Sequence, residues 1–575
     1  MTTEVTRSRA DELERLLGDP ARADNPFGFA ATVAADERGQ VAPGAERELQ
    51  RYGLNAEFVP VAEGGRFARA DELVDVLRVV CRRDPALAYG YGAGSLIASA
   101  PVWAAGRPGQ RRAAADRLLA GGRIALAHSE PAPGDDPAPT GLSAGRDGDR
   151  LLLTGRQEIV DDPRRAGAFV LLARTDPAPG RHSHSQVLVD RSALPAGRFR
   201  DLPRLRGAGM RGVWFGGIEF DECPVGAGDL LGAPGDGLAI ATCASQLAGT
   251  ALPAMMTAVL DTGLRVTLDH VLRRRLYGAA AADLPVLRSM LAGAFADLLL
   301  GEAVASAGLR ALHLLPGPSR VYAAAVRCAL DKMLPATMNQ LATVLGAQFY
   351  LRDGTPAIFQ KLVRDLKPVA VGHVSRAACR MTILPQLPLF ARRSWPAGEP
   401  VPDQVFRPGA DLPGLDFGAL RLGASGRDPI VPSLRALPAD LGTGPALRGV
   451  RAAAGSFAER FRRLADRCAG LNPHDLSSPA GAATHDLAGQ YVTVFAAACG
   501  AGVWRDAHQR GAGFLAEPDW LHAALARLDA AASGRPAPVL SPAVEERLFA
   551  ELFRRHEAGL GFGLLERPPT PTPIP

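Results

Sequence analysis

Three stretches of the sequence hold residue types whose spacing could do chemistry. Glu130, Asp135 and Asp136 lie close together, the raw material for paired acid–base carboxylates or a divalent-cation site, although their Pro- and Gly-rich surroundings read as a loop of solvated acids. His182 and His184, two apart in Arg181-His182-Ser183-His184-Ser185, could share a metal ion. No third ligand is near in sequence, so that stretch reads as a polar hairpin loop and no metal site is assigned. His373 can act as a base, because an imidazole has an unperturbed pKa near ~6.5 and is available neutral at physiological pH; the competing reading is a surface or helix-packing histidine. Gly235-Asp236-Gly237 is a turn entering a helix. No G-x-G-x-x-G follows a strand, so a dinucleotide-binding domain is not expected.

The elements that must position these groups change character along the chain. Residues 1–122 form an N-terminal helical domain in this reading, with apolar residues at helical spacing such as Leu73, Val76, Leu77 and Val80. Residues 123–235 switch to short apolar runs between Gly, Pro and Asp turns, the pattern of a small antiparallel β domain. The helical period returns over 236–390. Residues 391–445 are rich in Pro, Gly and Asp without a period and read as a linker or surface-hugging loop. Helices resume over 446–567, where Phe457, Phe461, Leu464, Cys468 and Leu471 make an amphipathic stripe, and Ser541-Pro542 can cap a helix through Phe553. The tail 568–575, PPTPTPIP, reads as disordered.

Composition bounds the class. At 575 residues the chain exceeds what one core supports, and 47% hydrophobic with 22% charged residues is ordinary for globular proteins. The formal charge of +5 is spread among interspersed acids, which argues against a nucleic-acid stripe. The scattered cysteines form no C-x-x-C pair and fit a reduced, cytoplasmic setting; the charged opening lacks the apolar core of a signal peptide. Leu238 to Leu260 is long enough to raise a membrane span, but its Ser, Gln, Gly, Thr and Pro residues favour a buried helix, so no transmembrane segment is expected.

Local motifs carry a resemblance. Tyr52-Gly53-Leu54 with Val59-Pro60 and Glu63-Gly64-Gly65, then Ala127-His128-Ser129-Glu130-Pro131 to Asp136, then Leu153-Thr154-Gly155 with Ala173-Arg174-Thr175 follow in order. Leu205 to Gly212, Ile218-Glu219-Phe220-Asp221, Val225, Leu230-Leu231-Gly232, Arg273 to Gly278 and Arg364-Asp365-Leu366-Lys367 continue the series. The collinear set resembles the acyl-CoA dehydrogenase superfamily, and the residues beyond 390 are similar to the helical addition of its very-long-chain branch. The resemblance implies a mainly α fold with a small β domain: a helical N-domain, a β-barrel or sandwich in the middle, a four-helix-bundle domain and a helical C-terminal extension.

The same resemblance implies FAD, a carboxylate base that removes the α proton of an acyl thioester on CoA or a carrier protein, and a homodimer or a mixed oligomer with another dehydrogenase-like chain. Carried over by position, the base falls on His373, followed by Val374 and Ser375; the other branch's E-R pair falls on Ala248-Gly249, so neither usual Glu is present. Ser129 keeps a hydroxyl where the family has Thr. The diphosphate-binding Ser becomes Asp135, and the W-I-T segment that covers the flavin ring becomes Ile159-Val160-Asp161. Arg274 matches the arginine that reaches the diphosphate across the dimer, or else is an Arg on a basic helix end. Two acids would then face an anionic cofactor and weaken it by roughly a few kcal/mol, while Ser129, Arg274 and Ser375 remain as contacts. The expected function is α,β-oxidation-type chemistry on an acyl thioester with altered parts. Two rivals stand beside it: a non-catalytic partner subunit, and a flavin-independent proton-transfer or cyclisation enzyme using His373, Asp161 or Asp135.

Overall fold

The computed structural model describes residues 8–127, 141–371, 376–441, 444, 447–472, 476, 481–536 and 538–568. The N-terminal part is helical: α1 (Arg9–Leu17), α2 (Phe29–Glu37), α3 (Ala45–Tyr52), α4 (Ala70–Cys81), α5 (Gly94–Ala105) and α6 (Pro108–Leu119). Ser8 starts α1 because its hydroxyl accepts from the Asp11 N–H while Asp11 accepts from the Ser8 N–H, satisfying two end groups reciprocally. In α4 the apolar positions Leu73, Val76, Leu77 and Val80 are buried, as their spacing predicts. A π-helical turn, Ala88–Ala93, precedes α5.

The middle region is one sheet of β1 (Ile124–Ala127), β2 (Leu142–Asp147), β3 (Arg150–Asp161), β4 (Ala168–Arg174), β5 (His184–Asp190), β6 (Phe199–Leu202), β7 (Phe215–Gly226) and β8 (Leu230–Leu231). Its order is β6-β7-β3-β2-β4-β5-β8, with β1 beside β4. The antiparallel expectation needs correction: β1 runs parallel to β4, Ile124 opposite Ala168, and β2 meets β4 in parallel at Ser143 and Arg174. Alternation of apolar residues fixes which face is buried but not strand direction. The β3–β7 ladder shifts register between Leu153 and Gly155. Gly155 adopts φ +116 there, and a Cβ would collide with the Gly141 carbonyl, so the bulge requires glycine.

Long helices follow: α7 (Gly237–Met255), α8 (Thr257–Arg273), α9 (Pro285–Leu314), α10 (Ser319–Leu345), α11 (Ala357–Val371) and α12 (Arg376–Ile383). The C-terminal part adds α13 (Arg448–Ala469), α14 (Ala482–Arg510), α15 (Pro518–Ala532) and α16 (Pro542–Glu557). The stripe Phe457, Phe461, Leu464 and Cys468 is buried on α13. Pro542 opens α16, but the Ser541 side chain makes no cap bond, and the helix runs past Phe553 to Glu557. Gly237–Arg273, Pro285–Leu314 and Ala482–Arg510 are long and apolar enough to cross a membrane by length and composition; 50%, 89% and 83% of their most apolar windows are buried inside the protein.

The stretch 391–445, expected as a linker, is a packed strap. Trp395, Val405, Ile430, Val431 and Leu434 are fully buried. The fully buried Asp428 accepts from the Tyr322 hydroxyl and the Trp395 indole, each at 2.9 Å, and Arg310 of α9 donates to the Ala410 carbonyl at 2.7 Å. Irregular backbone buries side chains without a period, so its apolar residues carry no pattern to read.

Candidate functional site

The end of β3 and the π-helical turn before α5 meet. The Tyr89 phenol, buried on that turn, donates to Asp161 Oδ2 at 2.8 Å, and its ring packs on Phe215 of β7 with centroids 6.2 Å apart. Burial, then the Asp161 charge and hydrogen bond, hold the Tyr89 hydroxyl well above its ordinary pKa, with Arg327 of α10 opposing. The phenol is thus a fixed donor. Just before the pair on the same strand, Ile159 is 62% exposed, an apolar side chain facing solvent beside a polar dyad.

The adjacent acid turns elsewhere. Asp162 adopts φ +47, and its Oδ2 accepts from Arg123 and Arg165, both at 2.6 Å. Burial raises its pKa against those two cations. Arg165 and Arg123 also flank Glu46 and hold it below the usual carboxylate range despite its burial. The two neighbouring acids therefore do different work: Asp162 ties the sheet to α3, and Asp161 faces the phenol.

Behind Tyr89, α10 buries Arg327 and Asp331 one turn apart, with Nε to Oδ2 at 3.4 Å. Burial pushes the Asp331 carboxyl up to about 7, although Arg327 and Arg376 pull it down. Tyr89, Arg327 and Asp331 were missed by sequence reasoning. The i,i+4 Arg–Asp spacing was visible; the π-helical turn that aims Tyr89 left no sequence signal.

The Arg364-Asp365-Leu366-Lys367 stretch anchors α11. Arg364 donates to Asp36 of α2 at 2.6 Å, and Asp365 shares Lys361 Nζ with Asp84, at 2.5 and 2.6 Å, all three being buried. Asp365 Oδ1 also accepts from the Met210 N–H at 2.7 Å, which joins the sheet region to the bundle. Burial favours neutral Lys361, but the two carboxylates win and raise its pKa; burial raises that of Asp365.

Arg274 lies elsewhere, where α8 ends in extended backbone. It lines a cavity of about 480 Å³ with Asp269, His270, Arg273, Ala347, Gln348 and Thr355, and Arg273 lies 4.0 Å from the Asp269 carboxylate. Gly346, at φ +60, brings the turn after α10 close to the Arg274 guanidinium. Tyr277 and Tyr350 near these turns are 97% and 76% exposed. Asp269 offsets part of the Arg273 charge, and burial lowers the His270 pKa, so Arg274 is the cation on this cavity that suits a phosphate-bearing group.

The remaining sequence-derived positions, Ser129, Asp135, His373 and Ser375, with Glu130 and Asp136, lie outside the described residues. The hairpin reading of Arg181 to Ser185 holds for Arg181 to Ser183, which lie in the turn between the antiparallel β4 and β5, but not for His184 and Ser185. His184 belongs to β5, is fully buried, and hydrogen-bonds through Nδ1 to Ser183 Oγ at 2.8 Å. Two helices bring the distant cysteines Cys328 of α10 and Cys379 of α12 close enough to act on each other electrostatically, and Cys328 Sγ donates to the Arg376 carbonyl at 3.7 Å.

No family model matches the chain. It is 25% identical over 254 residues to isovaleryl-CoA dehydrogenase of Bos taurus and 26% identical over 261 residues to the short-chain specific acyl-CoA dehydrogenase of Homo sapiens, in each case over 44% of this chain. The chain spans 59% and 61% of the lengths of these relatives. The sequence is similar to those of acyl-CoA dehydrogenases. The fold is shared with the prolyl acyl carrier protein oxidase AnaB, at TM-score 0.58 and 16% identity over 66% of this chain and 97% of that one. A structure described as PigA with FAD and proline matches at TM-score 0.59 and 15% identity, over 67% and 99%.

Proposed function

We propose that the chain oxidises an acyl thioester, carried on CoA or on a carrier protein, with FAD as its electron acceptor. Similarity to acyl-CoA dehydrogenases supports the reaction class, and the carrier-protein oxidase among the solved neighbours supports the carrier alternative. The observation that carries the reading is the Tyr89–Asp161 pair at the end of β3, where the superfamily pattern has the Thr facing the flavin ring.

The residues present suit the cofactor better than the bare sequence implies. Asp161 was expected to repel it; instead the carboxylate accepts from a buried phenol, with Arg327 close enough to act on that phenol, so its charge is met locally. Arg274 would hold the diphosphate, and the exposed Tyr277 and Tyr350 beside that cavity fit a contact with a second chain.

FAD, when bound, supplies the acceptor for the hydride leaving the acyl β carbon. Asp161 takes the α proton, the C–H electrons becoming the new Cα=Cβ bond, and the Tyr89 hydrogen bond favours the ionised carboxylate that does so. Purified protein with a flavin absorbance band that reduces an electron dye on octanoyl-CoA or an acyl carrier protein supports this reading. A protein that stays colourless after FAD is added discards it. Turnover by such a colourless protein would mean proton-transfer chemistry at the same pair, and no turnover with co-purification of a second dehydrogenase chain would mean a partner subunit.

A further inference from the structure

A cleft of about 220 Å³, lined by neither Asp161 nor Arg274, lies between α9, α10 and α12 of the bundle and α14 and α15 of the C-terminal part. Its floor is apolar, built from Leu300, Met333, Val492, Ala496 and Leu528. Five cations line it: Lys332, Arg376, Arg380, Arg527 and Arg535. Two of them are neutralised, Arg527 by Asp297 at 2.6 Å and Arg535 by Asp529. Lys332 donates to the Ala531 carbonyl, at 3.3 Å. Among the described residues, no carboxylate comes within 4 Å of Lys332, Arg376 or Arg380, though the charge of Arg376 acts on the buried Asp331.

We propose that this cleft binds a medium-chain amphipathic anion, with its tail on the apolar floor and its carboxylate or phosphate head against Lys332, Arg376 and Arg380. An apolar cavity of about 150 Å³ accepts benzene, so 220 Å³ takes a short alkyl tail. Three cations at one mouth recognise a head of one or two negative charges, since charge-assisted bonds are about twice as strong as neutral ones. A neutral ligand of the same length would leave them unused. The site lies outside the cleft chemistry proposed above and does not depend on it.

Calorimetric titration of the full chain tests this with octanoate, octyl phosphate and octanamide. Octanoate or octyl phosphate should bind with sub-millimolar Kd, and octanamide at least tenfold more weakly. Tighter octanoate identifies a carboxylate head; tighter octyl phosphate identifies a phosphate. Lys332→Gln combined with Arg380→Gln should weaken the preferred anion at least tenfold while the ligand-free melting temperature stays unchanged, because both side chains are exposed. Absence of binding by either anion at millimolar concentration overturns the site. So does equal binding of octanamide, or equal affinity in the double variant.

Discussion

The Tyr89 hydroxyl and the Asp161 carboxylate, 72 residues apart in sequence, meet at 2.8 Å where a π-helical turn abuts the last residue of a strand. The bond stabilises the ionised carboxylate, so removing it has a defined sign. In Tyr89→Phe the acid limb of the pH–rate profile should move to higher pH and kcat/KM at neutral pH should fall about tenfold, the worth of a hydrogen bond to a charged group. Asp161→Asn should lose about 10²–10⁴-fold, the range for a positioned base. An unmoved profile in Tyr89→Phe would separate the phenol from the chemistry.

Arg274 is exposed and lines the cavity beside Gly346. A lost charge-assisted bond to phosphate is worth roughly 1.5–3 kcal/mol. Arg274→Gln should therefore weaken FAD retention about 10–100-fold, read from bound flavin absorbance after dialysis, with little change in the melting temperature of the FAD-free protein. Asp161→Thr, which restores the superfamily's hydroxyl, should retain FAD at least as well as the parent.

Asp331 gives stability a pH dependence. Its folded carboxyl titrates near about 7, against a reference of 3.8, because burial outweighs Arg327 and Arg376. Between those values the folded protein holds a proton that the unfolded chain has released, so stability falls as pH rises through the window, by up to about 1.4 kcal/mol per unit. Asp331→Asn cannot titrate. Denaturant melts at pH 5 and pH 7.5 should find the variant's stability relative to the parent improving at the higher pH.

Lys361 bonds both Asp84 and Asp365, and all three are buried. Lys361→Met should destabilise the fold by about 3–5 kcal/mol, since it leaves buried carboxylates without their cation. Adding Asp84→Asn and Asp365→Asn should recover part of the loss. Chemical denaturation of the single and triple variants measures both steps.

Much of the fold could be read from the residues. The stripe Phe457–Phe461–Leu464–Cys468 buries as its spacing predicts, and the apolar runs at 151–153, 169–172 and 186–189 lie in strands. The strap over 391–445 could not be read so, because Trp395, Asp428 and Ile430 are buried by irregular backbone that has no period. The parallel β1–β4 pairing was equally hidden, since alternation looks the same in either direction.

The sequence by itself carried the superfamily resemblance, the helix–sheet–helix order and Asp161 and Arg274 as candidate positions, because ordered motifs and periodic apolar residues are local information. Only the tertiary structure decided what Asp161 faces, that Asp162 is spent on arginines, that Lys361 joins Asp84 to Asp365, and that three cations ring an apolar cleft. Each of those depends on side chains from distant segments approaching within a few ångströms, and Coulomb and hydrogen-bond energies are set by that separation and by burial, which no spacing along the chain encodes.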